Sequence, residues 1–136
     1  MTVICIALSP KDALAQWSAI EPLLDMGYAV GGEIMPDDML ERIGDVRMVI
    51  WVALDTETAA VLTAVTTELY PMRDGLVCWI GQCGGTRLWE WVHFIDKIEE
   101  YARAEGCVKT ILKGRPGWKR ALQGYDIRTV TLEKAL

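Results

Sequence analysis

Residues 75–118 constrain the fold more than any other stretch. They read as a strand over residues 76–80, a glycine-containing loop over Gly81, Gln82, Cys83, Gly84 and Gly85, a long helix, and a second strand over residues 108–112. A strand, helix, strand unit of this length implies a parallel crossover, so the sheet cannot be purely antiparallel. A strand that empties through glycines onto a helix N-terminus is also a natural anion cradle, because free backbone N–H groups and the helix dipole point the same way. The helix runs from about Thr86 to Gly106. Leu88, Trp91, Val92, Ile95, Ile98 and Ala102 share one face, while Arg87, Glu90, Lys97, Glu100 and Arg103 occupy the other. That is the pattern of a helix packed on a sheet, and Gly106 supplies a left-handed stop.

The flanking segments add strands of a different kind. Residues 2–8 are rich in β-formers and predict a first strand. Ser9 and Pro10 then open a helix expected to reach about Met26, with a kink at Glu21-Pro22. Gly27 and the Gly31-Gly32 pair punctuate the next segment, and Pro36-Asp37-Asp38 opens a short helix through Ile43. Residues 48–54 form a nearly continuous apolar run, the signature of a strand buried on both faces. Residues 60–69 return as a β-branched run, so residues 48–69 read as a hairpin. A short helix over residues 117–122 and a closing strand over residues 127–133 complete the chain.

A chain of 136 residues with 51% hydrophobic and 24% charged residues predicts one globular domain, residues 1–136. A net charge of -5 provides no broad basic field for a nucleic-acid backbone. The apolar start lacks a basic leader and is interrupted by Pro10 and Lys11, and no run approaches the roughly 18 apolar residues of a membrane helix. A soluble protein without a secretory signal peptide or membrane contact is the expectation. Four widely separated cysteines, Cys5, Cys78, Cys83 and Cys107, fit buried thiols in a reducing compartment better than a disulfide framework.

The order of elements resembles the GNAT acetyltransferase superfamily. The expected fold is therefore α/β (α+β): a GNAT-like mixed, mostly antiparallel central sheet flanked by helices, with a parallel βαβ unit at its centre. Within that superfamily the chain is most similar to GNAT-like proteins of tailed bacteriophages and prophages. The residues that carry this likeness are Trp51-Val52-Ala53, Val65-Thr66-Thr67-Glu68-Leu69-Tyr70-Pro71, Ala102-Arg103-Ala104-Glu105-Gly106-Cys107, Gly114-Arg115-Pro116-Gly117-Trp118, Gly124-Tyr125 and Leu132-Glu133-Lys134-Ala135-Leu136.

What the resemblance implies can be carried over by position. In GNAT enzymes the loop after the fourth strand reads Gln or Arg, two residues, Gly, one residue, then Gly or Ala, and its amides hold the coenzyme A pyrophosphate. Gln82, Cys83, Gly84, Gly85, Thr86 and Arg87 are thus the implied cofactor-binding residues, with acetyl-CoA or coenzyme A as the cofactor. Arg87 departs from the pattern: its bulk opposes close approach of phosphates, although its guanidinium can itself bind them. The acid for the departing thiolate is usually a tyrosine four residues before a Gly-aromatic pair, and counting back from Gly124 gives Arg120. Glu68 and Asp74 are the candidates for a general base, with no sequence partner to raise either pKa.

These departures point away from catalysis. The resemblance implies a catalytically degraded, virion-associated or virion-assembly component in a bacterial host or phage particle, acting through contacts with other phage structural proteins or with itself. The alternative is an active N-acetyltransferase that moves an acyl group from acetyl-CoA to an amine. The six tryptophans allow either a wide core face or a contact surface. His93 is the only histidine and has no cysteine at ligand spacing, so no metal is expected. Cys83 near a helix N-terminus lacks an adjacent base, and Arg115 sits in a sequence that also reads as a tight turn.

Overall fold

The computed structural model describes residues 2–31, 48–85, 93, 95–112, 120, 122–130 and 132–136. In order, the elements are β1 (Val3–Leu8), α1 (Pro10–Ala15), α2 (Trp17–Gly31), β2 (Met48–Asp55), β3 (Val61–Met72), β4 (Gly75–Gly85), α3 (Ile95–Ala104) and β5 (Lys109–Leu112). The strands form one sheet in the order β1-β2-β3-β4-β5. The first three pairings are antiparallel and the last, between β4 and β5, is parallel. The mixed sheet with a parallel unit built around a helix is therefore as the sequence predicts, although that unit lies toward one edge of the described sheet rather than at its centre.

Each face of the sheet carries its own core. On one face α1 and α2 bury Ala13, Ile20 and Leu24 against Leu8, Met48, Ile50, Val52 and Ala64. On the other, α3 buries Ile95, Ile98 and Ala102 against Cys5, Trp51, Val65, Cys78 and Ile80. β2 feeds both cores, which is why its sequence reads as an unbroken apolar run. Ile20, Leu24, Ile80 and Ile98 are among the most deeply buried side chains. Complete burial of such a side chain is worth roughly 1.5–3 kcal/mol.

Local chemistry sets the boundaries. Ser9 caps α1 by accepting a hydrogen bond from the Asp12 N–H at 3.2 Å, with Pro10 in the first turn. The expected kink at Glu21-Pro22 is not where the helix divides. α1 ends at Gln16, whose carbonyl accepts from the Ala19 and Ile20 N–H groups and starts α2. α2 runs through Pro22 and past Met26 to Gly31. Pro22 and Ser18 are both exposed, so the carbonyl that proline leaves without its helical donor faces water. α3 stops as expected at Gly106, with φ 85°, where the Gly106 N–H donates to the Arg103 carbonyl and Cys107 N–H to that of Ala102.

Two further expectations are corrected. Gly81, Gln82, Cys83, Gly84 and Gly85 are not a loop: β4 continues through Gly85, with Cys83, Gly84 and Gly85 paired to Val65, Ala64 and Thr63. The twelve-residue β3 supplies a partner backbone that overrides the turn tendency of glycine. Residues 127–130 and 132–133 are not a strand either, because no neighbouring strand pairs with them among the described residues. The short helix expected over residues 36–43, the start of the long helix over 86–92, and Gly114, Arg115, Pro116, Gly117 and Trp118 lie outside the described residues.

Candidate functional site

The end of β4 is where the sheet changes character. From Val77 to Ile80 the strand is held on both sides, by β3 and by β5 in the register Val77–Lys109 to Ile80–Leu112. Beyond Ile80 its described pairing is with β3 alone. The β3 partner of Ile80 is Thr67 and that of Cys83 is Val65, so β4 takes one residue more than β3 across this step. The excess is a bulge at Gly81 and Gln82, which bends the strand and re-aims its backbone. A Cβ on Gly81 would lie 3.3 Å from Thr66 Oγ1 and 3.5 Å from Trp79 Cδ1, so a side chain there would need buried Thr66 to give by a few tenths of an ångström.

Gln82, Cys83, Gly84 and Gly85 thus stand together on the terminal stretch of β4, on its backbone. Thr86 and Arg87, the remaining implied cofactor residues, lie outside the described residues. By register, Thr63 and Val65 lie beside Gly85 and Cys83. The same two residues line a shallow apolar cleft with Cys5, Trp51, Ile95 and Ile98, beneath the start of α3. This cleft adjoins the candidate site and carries no charged side chain among those residues.

The candidate proton-transfer groups are scattered. Asp74 lies in the turn before β4, ion-paired with Lys109 at 3.5 Å, about ten strand residues or roughly 33 Å from Gly85. It is therefore excluded as a base at the β4 end. Glu68 is half-buried on β3, opposite Met48 on one side and Trp79 on the other. It stands four residues, about 13 Å, from Ala64. Arg120 is exposed and helical. Tyr125 is packed against the α3-side core, with its hydroxyl 2.6 Å from Thr110 Oγ1. Burial pushes its pKa above the ordinary tyrosine value, opposed by the Thr110 hydrogen bond, while Glu99 raises it further.

The described thiols are poor nucleophiles. Burial raises Cys5 to about 11, against an opposing pull from Lys97, and raises Cys78 to about 12. Cys107 is also raised, first by burial and then by Glu105. All three are free cysteines. His93 is exposed, and among the described residues no three His, Cys, Asp or Glu side chains converge on a metal position. None of the described helices is long and apolar enough to cross a membrane.

Sequence reasoning missed two contacts near the site. Trp51 Nε1 donates to Thr67 Oγ1 at 2.9 Å, and the Trp51 ring meets Tyr101 edge to face at a centroid distance of 5.3 Å. Thr67, like Thr63 and Thr66, is a buried polar residue in a run that reads simply as β-branched. The available signal was a tryptophan in an apolar strand, whose N–H needs a buried acceptor.

Comparison with solved structures places this arrangement. An aminoglycoside acetyltransferase from an uncultured soil metagenomic sample, in complex with trehalose, superposes with a TM-score of 0.73 at 10% identity, covering 98% of this chain and 96% of the other. A GNAT family acetyltransferase from Staphylococcus aureus gives 0.68 at 12% identity, covering 100% of both chains. The fold is that of the GNAT acetyltransferases. A predicted acetyltransferase from Clostridium acetobutylicum, solved with acetyl-CoA, shares the GNAT fold at a TM-score of 0.67 and 15% identity, over 98% of this chain and 96% of that one. No protein-family profile and no curated protein matches the chain. Past the last described β5 pair, Ile80 with Leu112, the β4 backbone continues to Gly85.

Proposed function

We propose that the chain binds an acyl-CoA along the end of β4 and transfers the acyl group to an amine. The observation that supports this most is the match of nearly the whole chain to acetyltransferases, one of them solved with acetyl-CoA. When bound, the thioester supplies an activated acyl carbonyl for attack by the amine. The chain's own part is to hold and orient: the backbone of Gln82, Cys83, Gly84 and Gly85, with Thr86 and Arg87, receives the pyrophosphate arm, and the bulge at Gly81 sets the angle of that backbone. Glu68 is the candidate nearest to this stretch for accepting the amine's proton, through intervening water.

A second reading is a GNAT-fold protein that keeps the frame without the reaction, as a phage-type virion or assembly component working through protein contacts. It is favoured by the engagement of Tyr125 with Thr110 and by the exposed Arg120 at the position where the acid is expected. Its phage grouping rests on the residue likenesses alone.

A thermal shift series with acetyl-CoA, free coenzyme A and no ligand separates the two. Ligand at 100 times its dissociation constant raises native stability by about 2.7 kcal/mol. A shift with acetyl-CoA, followed by thiol release in the presence of an amine panel, supports the transferase. A flat response at millimolar ligand overturns it. Persistent absence from phage particles and assembly intermediates counts against the second reading.

A further inference from the structure

Among the described residues the sheet has two open edges, β1 and β5, and they are not equivalent. The strand-like residues 127–133 begin close to β5, because Tyr125 is held to Thr110. β1 lies four strand spacings away, about 19 Å, and has no such neighbour among the described residues. It is also unguarded. Edge strands are ordinarily protected by charge, proline or a bulge. Val3–Leu8 carries neither charge nor proline, and its ladder with β2 runs from Val3 to Leu8 without a register shift.

The phase of that ladder fixes which backbone groups are free. The Thr56 N–H donates to the Thr2 carbonyl at 2.9 Å, so Thr2 and its alternates Ile4, Ile6 and Leu8 direct their N–H and C=O groups to β2. Those of Val3, Cys5 and Ala7 point outward. The side chains alternate in step with them. Leu8 belongs to the core under α1 and α2 and Cys5 to the core under α3, so Ile4 and Ile6 stand on the α1 and α2 face. The helices leave these two isoleucines uncovered, at 39% and 37% exposure.

We propose that β1 pairs antiparallel with β1 of a second copy, across a two-fold axis at Cys5. Cys5 then meets the partner's Cys5, while Val3 and Ala7 meet the partner's Ala7 and Val3. Outward-facing residues oppose one another, and the ladder closes about six hydrogen bonds. Ile4 lies beside the partner's Ile6 and Ile6 beside the partner's Ile4, on one face of a sheet continuous through both copies. Moving the axis to Ile4 or Ile6 forfeits one hydrogen-bonded pair and sets an isoleucine of each copy opposite Thr2 or Leu8. The occupant is selected by charge as well as by register. Copies of a chain with net charge -5 repel one another in general, and β1 is a strand that can meet itself without burying a charge. α1 follows Leu8 directly, so the two copies of α1 start from opposite ends of the paired strands. Such an interface is isologous and closes at the dimer.

The test uses the full chain. Light scattering after size exclusion should give twice the monomer mass for the native chain, falling to the monomer on dilution. Ile4→Lys with Ile6→Lys sets lysine opposite lysine and should be monomeric at concentrations where the native chain is a dimer. Ile4→Lys with Ile6→Glu sets each lysine opposite the partner's glutamate and should remain dimeric at low salt. Circular dichroism like that of the native chain checks that both variants fold. The register has its own readout. Paired residues of this kind have Cα atoms about 4.5 Å apart, within disulfide range. An oxidised mixture of the Ile4→Cys and Ile6→Cys variants should therefore link position 4 to position 6 by peptide mapping, whereas either variant alone should not link its introduced cysteines. The proposal is overturned by a native chain that is monomeric at every concentration or that grows past the dimer. It is equally overturned by a lysine–glutamate variant no more dimeric than the lysine–lysine one, or by linkage between identical positions.

Discussion

The Tyr125 hydroxyl lies 2.6 Å from Thr110 Oγ1, tying the segment after Leu122 to β5. Thr110 pairs in turn with Cys78 of β4, so this contact sits over the doubly flanked part of that strand and not at its glycine end. Tyr125→Phe removes the hydroxyl while keeping the ring in the α3-side core. We expect a loss of about 1 kcal/mol, read as a lower urea midpoint with an unchanged slope.

Alkaline pH should destabilise the protein. Cys5 and Cys78 rise from an ordinary 9.0 to about 11 and about 12, and Tyr101 from 10.0 to about 12, each chiefly through burial. A raised pKa means that the folded state holds the proton longer than the unfolded chain. The stability is therefore fully present below about pH 9 and falls as pH climbs toward about 12. Urea midpoints measured between about pH 7 and 10.5 should decline over the upper part of that range, and Cys78→Ala should flatten the decline. A midpoint independent of pH would contradict the burial of these thiols.

Thr67→Val keeps the shape of a buried side chain but removes the hydroxyl that accepts from the Trp51 indole N–H. An unsatisfied buried donor costs about 1–3 kcal/mol, more than an average hydrogen bond contributes. Thr67→Ser, which restores an acceptor, should recover part of the loss in the same denaturation assay.

Ala59 has φ 59° in the turn between β2 and β3, a left-handed conformation that a Cβ disfavours. The turn is otherwise well tied: the Glu57 N–H donates to Asp55 Oδ1, and the Thr56 N–H and hydroxyl both reach the Thr2 carbonyl. Ala59→Gly should relieve the backbone strain and stabilise the protein by about 0.5–1 kcal/mol after glycine's entropy cost is subtracted. A raised melting temperature is the readout, and a lower one would mean that the strain is smaller than the entropy.

What was legible in the sequence depended on how far apart the deciding residues are. The Ser9-Pro10 start, the Gly106 stop and the core face of α3 at Ile95, Ile98 and Ala102 are written within a few residues each, and all three stand. The both-face burial of β2 was readable because it fills every position of the run. Gly81, Gln82, Cys83, Gly84 and Gly85 were misread as a loop because glycine signals a turn locally, whereas the partner that keeps them extended, residues 63–65 of β3, lies about twenty residues earlier. The hydroxyl partners of Trp51 and Tyr125 are sixteen and fifteen residues away in sequence, with no periodicity to announce them. Asp74 could be set aside only once the length of β4 put it at the other end of the strand.

The uneven pairing of β4 also divides the molecule by how readily it opens. Amides between Val77 and Ile80 have neighbouring strands on both sides and can exchange only when a large part of the sheet separates. Those from Gly81 to Gly85 have one described neighbour, so a small excursion frees them while both cores stay packed. The stretch proposed to receive a ligand is thus also the one that can breathe at the least cost to the rest of the fold.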